Sequence, residues 1–420
     1  HSSRLKKDPT QLALEHFDTY YEPVFNENWP AIRLALLSQR KYCALVNNFA
    51  DSSETVGNLV SDGADNILKM AECAELSPSP NRLNQQKIEM NDQVTYSSHL
   101  ADVNNATSEE GADVDLYTFM PTKRMGSDIE RMKAEEREMN IYTNIEVNTQ
   151  IIPDTPLHFP KYLKAYAYER GNPSLFQSPK RDSTRKTDYY LYDAASILPV
   201  LALDLFPECK VLDLCAAPGG KTLTMLQTHL TEGITCIDIS HTRLQRLSEI
   251  MAQYIPSKKA VGQLVKVICS DGVVFCKKNT QETLYDRVLV DVPCNNDRHV
   301  LEEVENNLFK PGRLKERIQL PKIQRDLLYH AILACKPEGI TVYSTCTLSP
   351  VQNDGVIQAT LERIWTDTKI ELAVVDISHM ADRFREIYNF ANNSRFGQLV
   401  VPNVTANFGP MYICKLKRLN

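Results

Sequence analysis

Hydrophobic and polar positions fall into contrasting patterns along the 420-residue chain. Residues 11–50 carry apolar side chains at helical spacing and predict a helical N-terminal extension over residues 1–50. Residues 51–120 are poor in aromatic side chains and rich in Ser, Asn, Asp and Glu, which is typical of a mobile linker. The charged stretch at 127–140 predicts an exposed helix with ion pairs along its surface.

From about residue 188 onward, short apolar runs alternate with helical stretches. Helices are predicted at 188–205, 221–229, 242–254 and 319–335. Strands are predicted at 210–214, 234–239, 264–269, 287–292 and 340–343. Strands that alternate with helices over about 200 residues predict an α/β domain with a mostly parallel sheet and helices on both faces. The predicted organisation is therefore an extension at 1–50, an acidic insert at 51–125, a connecting segment at 126–187 and a catalytic domain at 188–420.

Charge is unevenly distributed along the chain, which matters for the choice of partner. The net charge of −6 comes from 47 basic and 53 acidic residues. Residues 51–120 hold 13 acidic and 3 basic side chains, so the remainder has 44 basic and 40 acidic ones, a net of +4. An overall negative charge therefore does not exclude RNA as a substrate.

Two further features limit the class of protein. The longest apolar run, at 197–203, spans seven residues and holds Pro199, whereas a membrane-spanning helix needs about 20. The 11 cysteines are odd in number and form no CxxC pair. We therefore expect no membrane span, no zinc site and a reducing compartment.

The first chemical motif, VLDLCAAPGGKT at 211–222, runs from a predicted strand through a glycine turn into a helix. Its glycines let the backbone approach a ligand closely. Although its Gly-Lys-Thr end is similar to a P-loop, the P-loop glycine five positions before the second glycine is replaced by Cys215. This disfavours a phosphate site, and the absence of GxGxxG disfavours a dinucleotide site.

Acidic residues follow the next predicted strands. Asp238 lies 18 residues after Gly220, where a carboxylate accepts hydrogen bonds from ribose hydroxyls. The alternative is that it caps the following helix, a role that Ser240 fills equally well. Asp271, before Gly272, is placed to accept from an adenine amino group, or it simply forms a turn. Acid-bearing strand ends in series outline a nucleoside-sized slot without a phosphate cradle, which fits S-adenosylmethionine better than NAD or ATP.

Two cysteines also follow predicted strands: Cys294 in DVPC at 291–294, and Cys346 in STCT at 344–347. A single cysteine at such a place is usually structural. Two cysteines at adjacent strand ends, one of them beside an aspartate and a proline, favour a chemical role.

The spaced set DLCAAPGGKT, DVPC and STCTLSP resembles the Sun-type RNA 5-methylcytosine methyltransferases over residues 188–420. Segments at 29–50, 297–310 and 406–419 are similar to the mitochondrial rRNA branch of that family. The resemblance implies a Rossmann-like class I methyltransferase domain with a seven-stranded sheet. It also implies an S-adenosylmethionine-dependent enzyme that methylates cytosine carbon 5 of small-subunit rRNA.

The same resemblance implies roles for individual residues. Cys346 attacks cytosine carbon 6, as a soft thiolate is suited to do, and Cys294 aids release. Asp291 bonds ring nitrogen 3, which requires a protonated or shared carboxyl. Lys221 contacts the base, pairs with Asp291, or does both. The implied cofactor contacts are Gly219, Gly220, Lys221, Asp238, Arg243, Asp271, Gly272 and Asp291. For Arg243 the alternative is a surface ion pair.

RNA must reach this site with its target base unstacked. Candidate backbone contacts, each of which is otherwise simply solvated surface, are Lys180, Arg181, Arg185, Lys186, Lys310, Arg313, Lys315 and Arg317. No compact basic domain is evident in 1–187, and the resemblance implies a helical-repeat partner of the mitochondrial transcription termination factor type. We expect the N-terminal helices and the 297–317 stretch to dock it.

The resemblance also implies the mitochondrial matrix and a role in mitoribosome assembly. One alternative is an assembly scaffold in which catalysis is secondary. Another is a DNA cytosine methyltransferase, which is disfavoured because such enzymes attack with the cysteine that corresponds to Cys294 and would leave Cys346 idle.

Overall fold

The computed structural model describes residues 8–74, 149–279 and 284–420. The helix predicted at 127–140, and the predicted insert from residue 75 onward, lie outside these ranges. The strands are β1 (Cys43–Val46), β2 (Asp65–Asn66), β3 (Ile151–Pro153), β4 (Ala165–Ala167), β5 (Tyr189–Tyr192), β6 (Cys209–Leu214), β7 (Thr231–Asp238), β8 (Val265–Cys269), β9 (Tyr285–Asp291), β10 (Cys335–Thr345), β11 (Leu372–Asp376), β12 (Asn389–Phe390), β13 (Gln398–Val401) and β14 (Met411–Arg418).

The α-helices of the described residues are α1 (Pro9–Phe25), α2 (Trp29–Leu37), α3 (Ser52–Ser61), α4 (Ile67–Cys73), α5 (Ile197–Ala202), α6 (Gly220–Gln227), α7 (His241–Tyr254), α8 (Lys258–Leu264), α9 (Gly272–Asn279), α10 (Asp297–Glu302), α11 (Leu314–Ala334), α12 (Val356–Asp367) and α13 (Ser378–Arg383). None of them is both long enough and apolar enough to cross a membrane.

A large sheet forms the centre of the catalytic domain. Five strands run parallel in the order β8-β7-β6-β9-β10, and β14 lies antiparallel beside β10. β11 pairs antiparallel with β14 and completes the predicted seven-stranded, mostly parallel sheet, which is confirmed. The short strands β3, β12 and β13 extend this sheet to ten strands.

Helices cover both faces of the sheet because strand side chains alternate between its faces. Val211 of β6 belongs to the hydrophobic cluster that buries Leu247 of α7. Its neighbour Leu212 belongs to the opposite cluster, which buries Ile332 of α11. The parallel strands consequently end at one common edge, between two layers of helices.

The N-terminal extension packs onto this domain through α1 and α2. Phe17, Tyr21 and Phe25 recur every fourth residue along α1, are buried, and join the cluster around α11. The prediction of helices is therefore confirmed for α1 and α2. It is wrong for 43–46, which form β1.

A second sheet of four antiparallel strands, in the order β2-β4-β1-β5, was not predicted. The predicted helix at 188–205 is wrong in its first part, because 189–192 form β5 before α5 begins. The run Tyr-Tyr-Leu-Tyr favours a strand, and Leu191 pairs with Ala44 of β1. The apolar pattern alone did not reveal this partner, which is distant in sequence.

Residues 51–74 also differ from the predicted mobile insert, since they form α3, β2 and α4. Asp51 and Asn66 cap the two helices with their side chains. Leu59 of α3 and Ile67 of α4 are buried, so apolar burial against the small sheet orders a segment that composition alone assigned to a linker.

Candidate active site

The predicted site residues converge at the carboxyl edge of the parallel strands. Cys294 follows β9 and Cys346 follows β10, and their sulfur atoms lie 3.2 Å apart. Because a disulfide bond is about 2.0 Å long, this is a contact between two free thiols. The backbone N–H of Cys346 also donates to the Cys294 sulfur at 3.4 Å.

The two thiols differ in their surroundings. Cys294 is 8% exposed, whereas Cys346 is partly accessible. The hydrogen bond with Cys294, burial and the charge of Asp291 together raise the pKa of Cys346 well above its ordinary value, although Lys221 opposes them. The resting site therefore holds Cys346 as a thiol.

Lys221 and Asp291 form an ion pair beside the cysteines, with Nζ 2.7 Å from Oδ2. The other carboxylate oxygen accepts a hydrogen bond from Ser344 Oγ at 2.7 Å. Burial lowers the pKa of Lys221, but the charge and hydrogen bond of Asp291 outweigh it, and the net pKa is raised. The predicted pairing of these residues is confirmed, and a base contact by Lys221 stays a prediction.

Asp238 ends β7 with a carboxylate that is 3% exposed. It accepts from the backbone N–H of Ser240 at 2.9 Å and of Ala217 at 3.3 Å. Ser240, rather than Asp238, caps α7 by accepting from the N–H of Arg243. Asp238 is thus not the helix cap, and the alternative reading of this residue is wrong.

Arg243 lies against the same strand end. Its Nη1 is 3.4 Å from Asp238 Oδ2, and its Nη2 donates to the carbonyl of Ala217. The guanidinium therefore forms an ion pair, but with a buried carboxylate rather than the surface partner of the alternative, and the pair lies at the edge where a cofactor contact was expected.

Asp271 and Gly272 follow β8. Asp271 caps the start of α9 by accepting from the N–H groups of Val273 and Val274 at 2.8 and 3.1 Å. A Cβ added to Gly272 would lie 2.8 Å from Leu327 Cδ2, so glycine permits this close packing. Asp271 therefore acts at least as a turn and cap residue.

The turn before α6 completes the edge. Gly219 has a φ of +111°, a conformation that favours glycine, and Gly220 opens α6. Ile239, next to Asp238, is 69% exposed and offers an apolar surface at this edge. Carboxylate acceptors beside an exposed apolar side chain suit the hydroxyl, amino and ring groups of a nucleoside, so the residues present fit S-adenosylmethionine.

Sequence reasoning missed two buried carboxyls near this edge. Asp213, buried in β6, accepts from Thr222 Oγ1 at 2.6 Å. The other, Asp297, is fully buried between the two cysteine loops, and burial raises its pKa to about 6. Both lie within or beside the quoted motifs, but nothing in their spacing distinguished them from ordinary turn or strand residues.

The basic clusters are partly engaged within the protein. Arg313 forms a 2.6 Å ion pair with Glu316, and the Arg317 guanidinium lies 4.2 Å from the ring centroid of Phe309. Lys186 donates to the carbonyl of Ala252 at 3.0 Å. RNA contacts by these residues stay a prediction. Across the described ranges, no group of three or more His, Cys, Asp or Glu side chains is arranged to hold a metal.

The fold and the acceptors at its strand ends define a Rossmann-like, S-adenosylmethionine-dependent methyltransferase. A family model described as 16S rRNA methyltransferase RsmB/F matches residues 200–417. The chain belongs to this family, and it is an rRNA (cytosine-C5) methyltransferase.

Named relatives match nearly the whole chain. The 5-cytosine rRNA methyltransferase NSUN4 of Xenopus laevis is 36% identical over 419 residues, which cover 100% of this chain and 93% of that protein. The protein of the same name from Mus musculus is 37% identical over 410 residues, which cover 98% of this chain and 89% of that protein.

Solved structures share the fold at low identity. A methyltransferase homolog protein from Pyrococcus horikoshii has a TM-score of 0.56 at 18% identity, with 99% of this chain and 100% of that one covered. NSun6 from the same organism, solved with SFG, has a TM-score of 0.54 at 18% identity, with 98% of both chains covered.

Proposed function

We propose that Cys346 is the nucleophile that adds to carbon 6 of the target cytosine and that Cys294 assists release. The observation that carries this proposal is the 3.2 Å contact between the two sulfur atoms. This contact supports a site in which one pyrimidine ring, presented at the strand ends, would meet both thiols. Of the two cysteines, Cys346 is the more exposed residue, which favours it as the group that attacks the base.

Addition needs a proton balance because the free enzyme holds Cys346 as a thiol. As the sulfur–carbon 6 bond forms, the thiol proton passes through the Asp291 carboxyl to ring nitrogen 3, and the ring becomes an enamine that is nucleophilic at carbon 5. Lys221 and Ser344 hold the two carboxylate oxygens at 2.7 Å each, which fixes Asp291 for this transfer.

S-adenosylmethionine supplies the methyl group when bound. Release then requires that carbon 5 loses its proton, that this electron pair restores the 5,6 double bond, and that the carbon–sulfur bond breaks. Cys294 relays the proton: its thiol protonates the departing Cys346 sulfur and takes up the carbon 5 proton in exchange. Both cysteines end as thiols, and the proton on ring nitrogen 3 leaves through the Asp291 carboxyl to solvent, so the reaction releases one proton overall.

Cofactor binding is proposed to use the strand ends in order. Asp238 accepts from the ribose hydroxyls and Asp271 from the adenine amino group. The backbone at Gly219, Gly220 and Gly272 allows close approach, while Arg243 holds Asp238 in place through the 3.4 Å ion pair.

The proposed substrate is small-subunit rRNA in the mitochondrial matrix, where methylation supports mitoribosome assembly. The 16S rRNA name of the family model supports the choice of subunit. A mitochondrial location is supported by the name of a further relative, the mitochondrial tRNA (cytosine(34)-C(5))-methyltransferase of Mus musculus, which is 37% identical over 262 residues.

A helical-repeat partner of the mitochondrial transcription termination factor type is proposed to contribute additional RNA-binding surface. The two surfaces expected to dock it form one region, since Phe17 of α1 meets Phe309 at a centroid distance of 5.6 Å. Beside them, Leu34 and Leu37 of α2 are 58% and 48% exposed, which leaves apolar surface for a protein partner.

The test is a denaturing gel of the Cys294→Ala variant after incubation with rRNA and S-adenosylmethionine. We expect a slow-migrating protein–RNA adduct, because attack proceeds while release is impaired. The Cys294→Ala/Cys346→Ala double variant should lose the adduct, and Cys276→Ala, which removes a buried thiol elsewhere, should form none. If no adduct appears even with mitochondrial extract added, the covalent mechanism is wrong and the scaffold role gains weight.

A further inference from the structure

A buried carboxyl joins the loops that carry the two cysteines. Asp297 lies three residues after Cys294 and is 0% exposed. Its Oδ1 accepts from Thr347 Oγ1 at 2.8 Å, and its Oδ2 accepts from the N–H of Leu348 at 2.7 Å. Its backbone N–H donates to the carbonyl oxygen of Cys346, with an N–O distance of 3.4 Å. The residues on the C-terminal side of Cys346 are thus tied to the Cys294 loop.

A further donor to this carboxyl comes from the N-terminal extension. Tyr21 of α1 donates its hydroxyl to Asp297 Oδ2 at 3.0 Å, and the same hydroxyl lies 3.2 Å from Thr347 Oγ1. Its ring is stacked on Phe17 at 4.9 Å and meets Trp29 edge-on at 5.6 Å between centroids. The phenol is therefore held from several sides and has little freedom to turn away.

We propose that Tyr21, Asp297 and Thr347, together called the Asp297 cluster, position the Cys346 sulfur against Cys294 and the target base. In this way the N-terminal helix becomes part of the catalytic machinery of the domain. The proposal rests on the role of Cys346 as nucleophile. It adds a set of positioning residues that do not themselves touch the substrate.

The Asp297 cluster explains how Cys346, although it lies in a loop, keeps its sulfur in a fixed position. On its N-terminal side Cys346 is fixed by β10, whose Thr345 pairs with Tyr412 of β14. On its other side the loop that follows is held by the Asp297 cluster and by Asn353, whose Nδ2 donates to the Thr347 carbonyl at 3.0 Å. Displacement of a reacting atom by about 1 Å can slow a reaction by about 100-fold, so loosening one side of this loop should slow attack while cofactor binding persists.

Tyr21→Phe tests the proposal by removing one hydroxyl and no other atom. The matched control is Tyr388→Phe, because Tyr388 is equally buried and its hydroxyl donates to the Ala194 carbonyl at 2.9 Å, in a different cluster. Both variants should lower the melting temperature by similar amounts. Only Tyr21→Phe should lower kcat, by about tenfold, with the KM for RNA and for S-adenosylmethionine within about twofold of the parent values.

Adduct formation separates this proposal from the mechanism on which it rests. In the Cys294→Ala background, Tyr21→Phe should slow adduct formation by the same factor as kcat. If Cys294→Ala without the tyrosine substitution forms no adduct even with mitochondrial extract added, the assignment of the nucleophile fails. If the adduct forms at an unchanged rate with Tyr21→Phe, the positioning role is refuted while the nucleophile stands.

Thr347 provides a conservative pair of variants. Thr347→Ser keeps the hydroxyl that donates to Asp297, whereas Thr347→Val keeps the shape and removes that donor. We expect Thr347→Ser to retain kcat within about twofold of the parent value and Thr347→Val to lower kcat by about tenfold. Equal kcat values for Thr347→Ser and Thr347→Val would overturn the proposal, since the shape of the side chain alone would then account for the role of Thr347.

Discussion

Asp213→Asn should change how the stability of the protein depends on pH. Asp213 sits in the middle of the sheet at 1% exposure. One of its oxygens accepts from Thr222, and its Oδ1 is buried without a hydrogen-bond partner among the described residues. Burial is the main cause that raises the pKa of Asp213 from 3.8 to about 7.

The sign follows from proton linkage. Between pH 3.8 and 7 the folded protein keeps a proton on Asp213 that the unfolded chain has released, so this residue lowers stability progressively as pH rises through that window. At about 1.4 kcal/mol per pH unit, the full penalty above pH 7 is about 4 kcal/mol. Asparagine never ionises and resembles the protonated acid. The variant should therefore match the parent near pH 4 and exceed its stability by about 4 kcal/mol at pH 8.

Urea denaturation at several pH values between 4 and 8, without cofactor, measures this difference. Asp286→Asn is the control of opposite sign: although burial acts to raise the pKa of Asp286, its hydrogen bond with Lys336 and those with other donors lower the net value. Because the pKa of Asp286 is lowered from 3.8, its stabilisation is already present above that pH, so this variant should be less stable than the parent by a nearly constant amount from pH 4 to 8. Parallel curves for Asp213→Asn and the parent would refute a buried, largely protonated carboxyl at this position.

Three further predictions concern cofactor binding, chemistry and stability. Asp238→Ala should weaken S-adenosylmethionine binding by about 10- to 100-fold in calorimetry, because hydrogen bonds to charged groups contribute about 1.5–3 kcal/mol. Cys346→Ala should abolish methylation of rRNA and leave the Kd for S-adenosylmethionine within about twofold. Arg298→Met should lower the free energy of unfolding by about 3 kcal/mol, since this buried guanidinium donates to Gly409 and Asn407 and its loss leaves both acceptors unpaired.

Each of these has a matched comparison. Asp376→Ala removes an acid that ends β11 and accepts from Ser378 N–H at 2.9 Å, in the same way as Asp238 at its own strand end. Equal losses of affinity for the two variants would make the effect of Asp238 a structural one. Methylation of rRNA by the Cys346→Ala variant would show that Cys346 is not the nucleophile. An unchanged urea midpoint for Arg298→Met would show that solvent satisfies the acceptors it leaves.

The sequence allowed prediction of the central strands and of the residues at their carboxyl ends, because each strand and its following loop form one local pattern. What stayed hidden depends on partners far away in the chain. β5 is a strand because β1 lies beside it, and Tyr21 matters because it meets Asp297, 276 residues further on. No local spacing carries such information, and apolar periodicity alone assigned both β1 and β5 to helices.

The position of β14 has a consequence for the order in which the active site is assembled. This strand lies beside β10 on one side and beside β11 and β13 on the other. A nascent chain that has emerged through β13 already contains every motif of the site, yet β10 still has an open edge next to the Cys346 loop. Such an edge is prone to pairing with other chains, and closing it requires contacts that are distant in sequence, which form slowly. The growing polypeptide therefore depends on residues 411–418 to cover the open edge of β10.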